Sequence, residues 1–116
     1  MRAEEFRIGN IVIAETEDHV LTGYDIYLLS MDDDVGYKPI PLTEDWLVKF
    51  GWVWNEACKS FEHPKGARFN MLYRNISGSY TMFNYIINAL IAERVFYVHQ
   101  LQNLYFALTG EELIIK

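Results

Sequence analysis

The segment that most restricts how this chain folds is residues 98–113, VHQLQNLYFALTGEEL. Val98, Leu101, Leu104, Tyr105 and Leu108 recur at three- and four-residue spacing, the period that lines side chains along one stripe of an α-helix. Gly110 follows, and a glycine there supplies the left-handed conformation with which many helices end. The spacing predicts a helix over about 98–109, too short to be stable unless its apolar stripe is covered. At about 100° per residue Phe106 falls on the far side of that stripe, beside His99 and Asn103. These three residues are the candidate contact for a protein partner, unless the chain itself covers them, for example with the apolar tail of residues 111–116.

Short strands are the predicted cover. Residues 8–14 read as a first strand, with Ile11 and Ile13 on one face and Val12 on the other. Residues 15–18 read as an acidic turn, and residues 20–22 and 25–30 as further strands interrupted at Gly23. The prolines at 39 and 41 keep residues 37–41 extended. A second helix follows over about 43–50: Thr43 is a good N-cap, Glu44 and Asp45 complement the helix dipole, Leu42 and Leu47 form a hydrophobic staple, and Gly51 stops it. Trp46, Leu47 and Phe50 are its inward residues.

Residues 52–61, 68–76 and 80–87 read as strands, the last two forming a hairpin around Ser77, Gly78 and Ser79. In the middle one, Phe69, Met71 and Tyr73 alternate with Arg68, Asn70 and Arg74, and Leu72 breaks the pattern. Residues 89–97 are assigned to strand because Val95, Phe96, Tyr97 and Val98 are β-branched or aromatic. Strands gathered in runs, with two short helices packed on the sheet, define an α+β class built on an antiparallel meander and hairpins. One domain over 1–116 is expected, with subregions 1–36 and 42–116.

Composition narrows the function classes. Among 116 residues there are three Trp, eight Tyr and seven Phe, enough aromatic mass for one autonomous core. The net charge of −6 opposes a surface built wholly for nucleic acid or anionic membrane. The charge is uneven: residues 1–34 hold nine carboxylates against two arginines, whereas residues 59–74 hold four cations against one carboxylate. The single cysteine, Cys58, cannot form an internal disulfide, which suits a reducing compartment. The first ten residues lack the apolar stretch of a signal peptide, and the uncharged run 75–92 is broken by polar residues, so a cytoplasmic protein without a membrane span is expected.

Three stretches, Arg7-Ile8-Gly9-Asn10, PIPLTEDWL at 39–47 and YVHQLQNLYFALTGEEL at 97–113, resemble a family of small uncharacterised proteins of gut-type bacteria, their phages and mobile elements. Residues 52–94 lie outside the resemblance. The family has no assigned activity, so the resemblance implies a lineage and a compartment and assigns no site residues.

Chemistry-bearing patterns are sparse. Asp32, Asp33 and Asp34 do not match a calcium-binding loop, because Gly36 falls at a ligand position and Thr43 at the closing one. No short-spaced ligand set points to a metal or another cofactor, and none is expected. Cys58 with His63, His19 or His99 is the remaining assembly for an enzyme, without a nucleophile turn around the cysteine. Arg68, Arg74 and Tyr73 are the candidate nucleic-acid face, since basic and aromatic sheet surfaces hold single strands by stacking and phosphate contact. The leading expectation is a non-enzymatic accessory or protein-interaction module, possessing a protein partner or forming a homo-oligomer, with nucleic-acid binding as the alternative.

Overall fold

The computed structural model describes residues 5–31, 36–63 and 70–115. The fold is α+β: two antiparallel sheets and three helices. In the first sheet β1 (Ile11–Ala14) lies between β2 (Glu17–Val20) and β3 (Tyr37–Pro39). Helix α1 (Gly23–Met31) links β2 to β3. After α2 (Glu44–Lys49) comes a five-stranded meander, β4 (Val53–Asn55), β5 (Ser60–Glu62), β6 (Asn70–Arg74), β7 (Tyr80–Asn84) and β8 (Ala89–Val95), in which each strand pairs with the next. Helix α3 (Val98–Thr109) closes the order.

Both predicted helices form, and their capping follows from sequence. The Thr43 hydroxyl accepts the Trp46 amide at 3.4 Å. Gln100 reaches back from the first turn of α3 and accepts the Phe96 and Tyr97 amides at 2.8 and 3.1 Å. Gly110 ends α3 at φ 75°, its amide donating to the Phe106 carbonyl at 2.8 Å.

Residues 25–30 are a correction: they belong to a third helix, not to a strand. The deciding feature is local. Thr22 and Asp25 form a reciprocal cap, the Asp25 carboxylate accepting the Thr22 amide at 2.8 Å and the Thr22 hydroxyl accepting the Asp25 amide at 3.3 Å. Gly23, read as an interruption, is the first helical residue. Residues 17 and 18, read as turn, pair in β2, so the turn shrinks to Glu15 and Thr16, with Glu15 at φ 60°. The stretch 52–61 is a hairpin and not one strand, reversing at residues 56–59. Strand β7 stops at Asn84, short of residue 87, because the Asn84 side chain accepts the Ile86 and Ile87 amides at 3.0 and 3.2 Å and folds the chain into a turn. Of the predicted strand 89–97, residues 89–95 are strand, while Phe96 lies past its end and Tyr97 is the N-cap of α3.

One large core fills the space between the five-stranded sheet and the helices. Phe61, Leu72, Tyr80, Met82 and Val95 come from the sheet, Trp46, Leu47 and Phe50 from α2 and its C-cap, and Val98, Leu101 and Tyr105 from α3. Ile11 of β1 joins this core, while Val12 turns to a smaller cluster with Phe6, Leu21 and Leu29 under α1. The alternation along β1 thus binds the small sheet to both cores. A second connection runs through residues 40–42: the Leu42 amide donates to the Phe96 carbonyl and the Val98 amide to the Ile40 carbonyl, both at 2.8 Å. The entries of α2 and α3 are therefore tied together.

The remaining tie is polar. Gln102, 2% exposed, accepts the Ile11 amide at 2.8 Å and donates to the Gly9 carbonyl at 3.1 Å. Its side-chain amide acts as a short piece of neighbouring strand beside β1. Replacing Gln102 with Leu keeps the volume but leaves both main-chain groups unpaired, which should lower unfolding stability by about 2–4 kcal/mol in chemical denaturation.

Candidate functional site

Helix α3 packs most of its apolar stripe on the core, with Leu104 partly buried against it, and buries a second, polar side as well. Val98, Leu101 and Tyr105 are buried as expected, but Leu108 is exposed, and His99 and Gln102 are buried. The cause is the N-terminal segment, which lies along the helix. Asn103 accepts Arg7 Nε and Asn10 Nδ2, both at 2.8 Å, and donates to the Glu5 carbonyl at 3.1 Å. The Asn10 side chain accepts the Arg7 amide at 2.7 Å, shaping the turn that brings the segment in. Phe6 packs on His99 with ring centroids 4.3 Å apart, and Tyr97 stacks on the same imidazole at 5.8 Å.

Of the three residues proposed for partner contact unless the chain covers them, His99 and Asn103 are engaged by the chain's own residues 5–10, so the cover comes from the N-terminal segment and not from the tail. Phe106 is 40% exposed and carries the Arg7 guanidinium over its ring at 4.4 Å. The tail contributes indirectly: Glu112 pairs with Arg7 and holds it in place. Helical periodicity located the far side of α3 correctly but carried no information about a segment some ninety residues earlier in the chain.

The candidate nucleic-acid face is not assembled among the described residues. Arg68 lies outside them. Tyr73 and Arg74 are consecutive in β6 and so project to opposite faces of the sheet. Arg74 follows the core-facing Leu72 and sits 3.7 Å from Glu44 of α2, while Tyr73 donates to the Met71 sulfur at 3.7 Å. Trp52 and Tyr80, the other large aromatics of this sheet region, are buried and add nothing to an exposed stacking surface. Leu72, which looked like an exception to the alternation, is the residue that sets it, being fully buried against the core.

Cys58 is exposed in the β4–β5 turn, its amide donating to the Asn55 side chain at 3.2 Å. The imidazoles have their contacts elsewhere. His63 is buried, within 3.2 Å of the Phe50 carbonyl, with its ring against Trp52 and Tyr105. His19 Nε2 is 2.9 Å from Asp25. Residues 32–34 lie outside the description, and among the described residues no group of three or more His, Cys, Asp or Glu side chains is placed to hold a metal ion. No described helix is long and apolar enough to cross a membrane.

A second polar cluster that the sequence did not signal lies at the start of α1. The Asp25 carboxylate accepts from Tyr37, from the Thr22 amide and hydroxyl, and contacts His19, whose ring stacks on Tyr37 at 5.4 Å. Burial opposes the charge on Asp25, but the hydrogen bonds from Tyr37, Thr22 and His19 outweigh it and hold the carboxyl well below the usual carboxylate range. The same hydrogen bond, with burial, pushes the Tyr37 phenol up to about 12. The cluster locks α1 to β2 and β3, and so fixes which side of the helix faces outward.

That outward side is apolar. Of the nine residues of α1 only Asp25 and Leu29 are buried. Tyr24, Tyr27 and Met31 are 68%, 57% and 69% exposed at positions i, i+3 and i+7, the two tyrosine rings lying 6.5 Å apart. Ile8, also exposed, extends the ridge: its Cδ1 lies 3.6 Å from where a Cβ on Gly23 would stand. Reading this stretch as strand hid the ridge, because a period of two distributes Tyr24, Tyr27 and Met31 over both faces. No protein family, curated protein or solved structure matches the chain. Its surfaces are therefore read on their own chemistry.

His99 supplies a pH test of the N-terminal docking. Burial lowers its pKa from 6.5 to about 4, and its Nδ1 is buried without a hydrogen-bond partner. The folded state holds the neutral ring, whereas the unfolded chain protonates it below 6.5. Stability is therefore complete above pH 6.5 and declines down to about pH 4, by up to about 3 kcal/mol. Asp25, whose native pKa is depressed, loses its contribution only below its ordinary 3.8, so the two windows separate. In urea denaturation across pH 4–7, His99→Phe should flatten the slope that the unsubstituted protein shows.

Proposed function

We propose that this chain is a non-enzymatic protein-interaction module that docks a partner through the exposed ridge of α1. The observation that supports this reading is the ridge itself: two tyrosines, a methionine and an isoleucine left in water by a helix whose orientation is fixed by a buried carboxylate network. Aromatic residues and methionine are enriched at protein interfaces, where rigid rings bury large area at small entropic cost. The partner's matching face is basic. Residues 1–34 carry nine carboxylates against two arginines, and Arg7 is already engaged by Glu112. A second copy would bring like charge to the same contact, which disfavours self-association there. An accessory role in a bacterium, phage or mobile element, in the cytoplasm, belongs to the same proposal and rests on the resemblance of residues 7–10, 39–47 and 97–113 and on the lone cysteine.

A photo-crosslinking side chain at position 27, compared with one at Glu93 on β8, tests the ridge in the cells that produce the protein. A discrete adduct from position 27, missing from position 93 and lost when Tyr24→Ser and Met31→Lys are added, is the expected outcome. These ridge substitutions should change stability by less than about 0.5 kcal/mol, because the side chains are exposed. Equal labelling from both positions, or none from position 27, contradicts the proposal.

A further inference from the structure

A second surface has a different shape and suits a different ligand. Between α2 and the outermost strand of the large sheet lies an open cleft of about 410 Å³, lined by Glu44, Asp45, Val48, Trp54 and Phe61. Its floor is apolar. Trp54 and Phe61 are directly paired across β4 and β5, with their rings edge-to-face at 5.0 Å. Trp54 is 45% exposed, and its indole donates to Glu56 at 2.7 Å, which fixes the ring's orientation. Val48 stands 62% exposed on the helix side. One end of the cleft is acidic, formed by Glu44 and Asp45 of the first turn of α2.

The backbone along this cleft is also open. Among the described residues strand β4 pairs with β5 alone and is the edge of the sheet, the position at which a strand leaves main-chain donors and acceptors available for another chain. Three features therefore meet: an unpaired strand edge, a fixed aromatic floor and two carboxylates. An extended chain satisfies all three, because it can add to the edge by main-chain hydrogen bonds while alternate side chains enter the cleft. We infer that the α2–β4 cleft binds an extended peptide segment of another protein, pairing with β4, placing an aliphatic side chain on Trp54 and a lysine or arginine against Asp45 and Glu44. The charge selects the occupant: Arg74 already faces Glu44 at 3.7 Å, but no cation is paired with Asp45 among the described residues, so an acidic strand would meet like charge there, and a second copy of this chain, at net −6, meets long-range repulsion. The site is separate from the α1 ridge and does not depend on it.

The chain carries its own reporter for this contact. Trp46 and Trp52 are 9% and 2% exposed, so quenching of tryptophan emission by acrylamide reads mainly Trp54. The probe is the seven-residue peptide Lys-Thr-Val-Thr-Lys-Thr-Val, whose lysines and valines share one face of an extended strand, with two controls: glutamate in place of each lysine, and N-methylation of alternate amides, which removes strand pairing. The lysine–valine peptide should shield Trp54 from acrylamide. Its affinity, read by anisotropy of a labelled copy, should fall at least about tenfold with Asp45→Lys and with Val48→Asp, and fall as salt is raised. Both substituted residues are exposed, and circular dichroism verifies that the variants fold. Tyr27→Ser on the α1 ridge should leave this binding unchanged. Absence of binding up to about 1 mM, equal binding of the glutamate or N-methylated peptide, or indifference to Asp45→Lys and Val48→Asp overturns the inference.

Discussion

The side-chain amide of Gln102 is the interaction on which the arrangement of this protein depends. It sits on α3, which shares the main core with the large sheet, and it pairs with the backbone of β1 as a neighbouring strand would. Apolar contact alone allows β1 to slide or rotate on α3, because hydrophobic burial is non-directional. A buried amide with both ends satisfied fixes one position, since any other leaves main-chain groups unpaired at about 1–3 kcal/mol each. Asn103, one residue on, extends the same control outward to Glu5, Arg7 and Asn10.

From this lock the exposed surfaces follow. With residues 5–10 laid along α3, His99 is buried and Phe106 shares its face with Arg7, so the far side of that helix is used internally. The small sheet, placed by Gln102, carries α1 on its other face through Val12, Leu21 and Leu29. Asp25 then sets the rotation of α1 by bonding at once to Thr22, His19 and Tyr37, leaving Tyr24, Tyr27 and Met31 outward. Elsewhere, the short β4 edge and the exposed residues of α2 form a cleft of another kind. A helical ridge and a strand-edge cleft recognise different backbone shapes.

Legibility in the sequence tracked how local the controlling interaction is. The N-cap of α2 and the C-terminal stop of α3 were readable because Thr43 and Gly110 act within four residues of their targets. The cap of α1 is equally local, but the aromatic and aliphatic run that follows Thr22 has strand propensity, which obscured it. In β6 the alternation was assigned to the wrong face because Met71 and Leu72 are both buried, the first beneath Ser60 and Tyr73 and the second in the main core. Two-sided burial in a strand erases the period of two from which a wet face is inferred.

By itself, the sequence determined the α+β class, the two capped helices at 44–49 and 98–109, the split of β1 between Ile11 and Val12, and the acidic character of the N-terminal third. Each follows from spacing, capping chemistry or charge, which act over a few residues or need no geometry at all. Only the tertiary structure decided that Gln102 pairs with β1, that His99 and Asn103 face the chain's own N-terminus, and that α1 shows an apolar ridge to solvent. Those outcomes turn on contacts between residues as many as ninety-eight positions apart, as between Glu5 and Asn103. The energy of such a contact depends on which groups the fold brings together and shields from water, and residue spacing along one chain does not encode it.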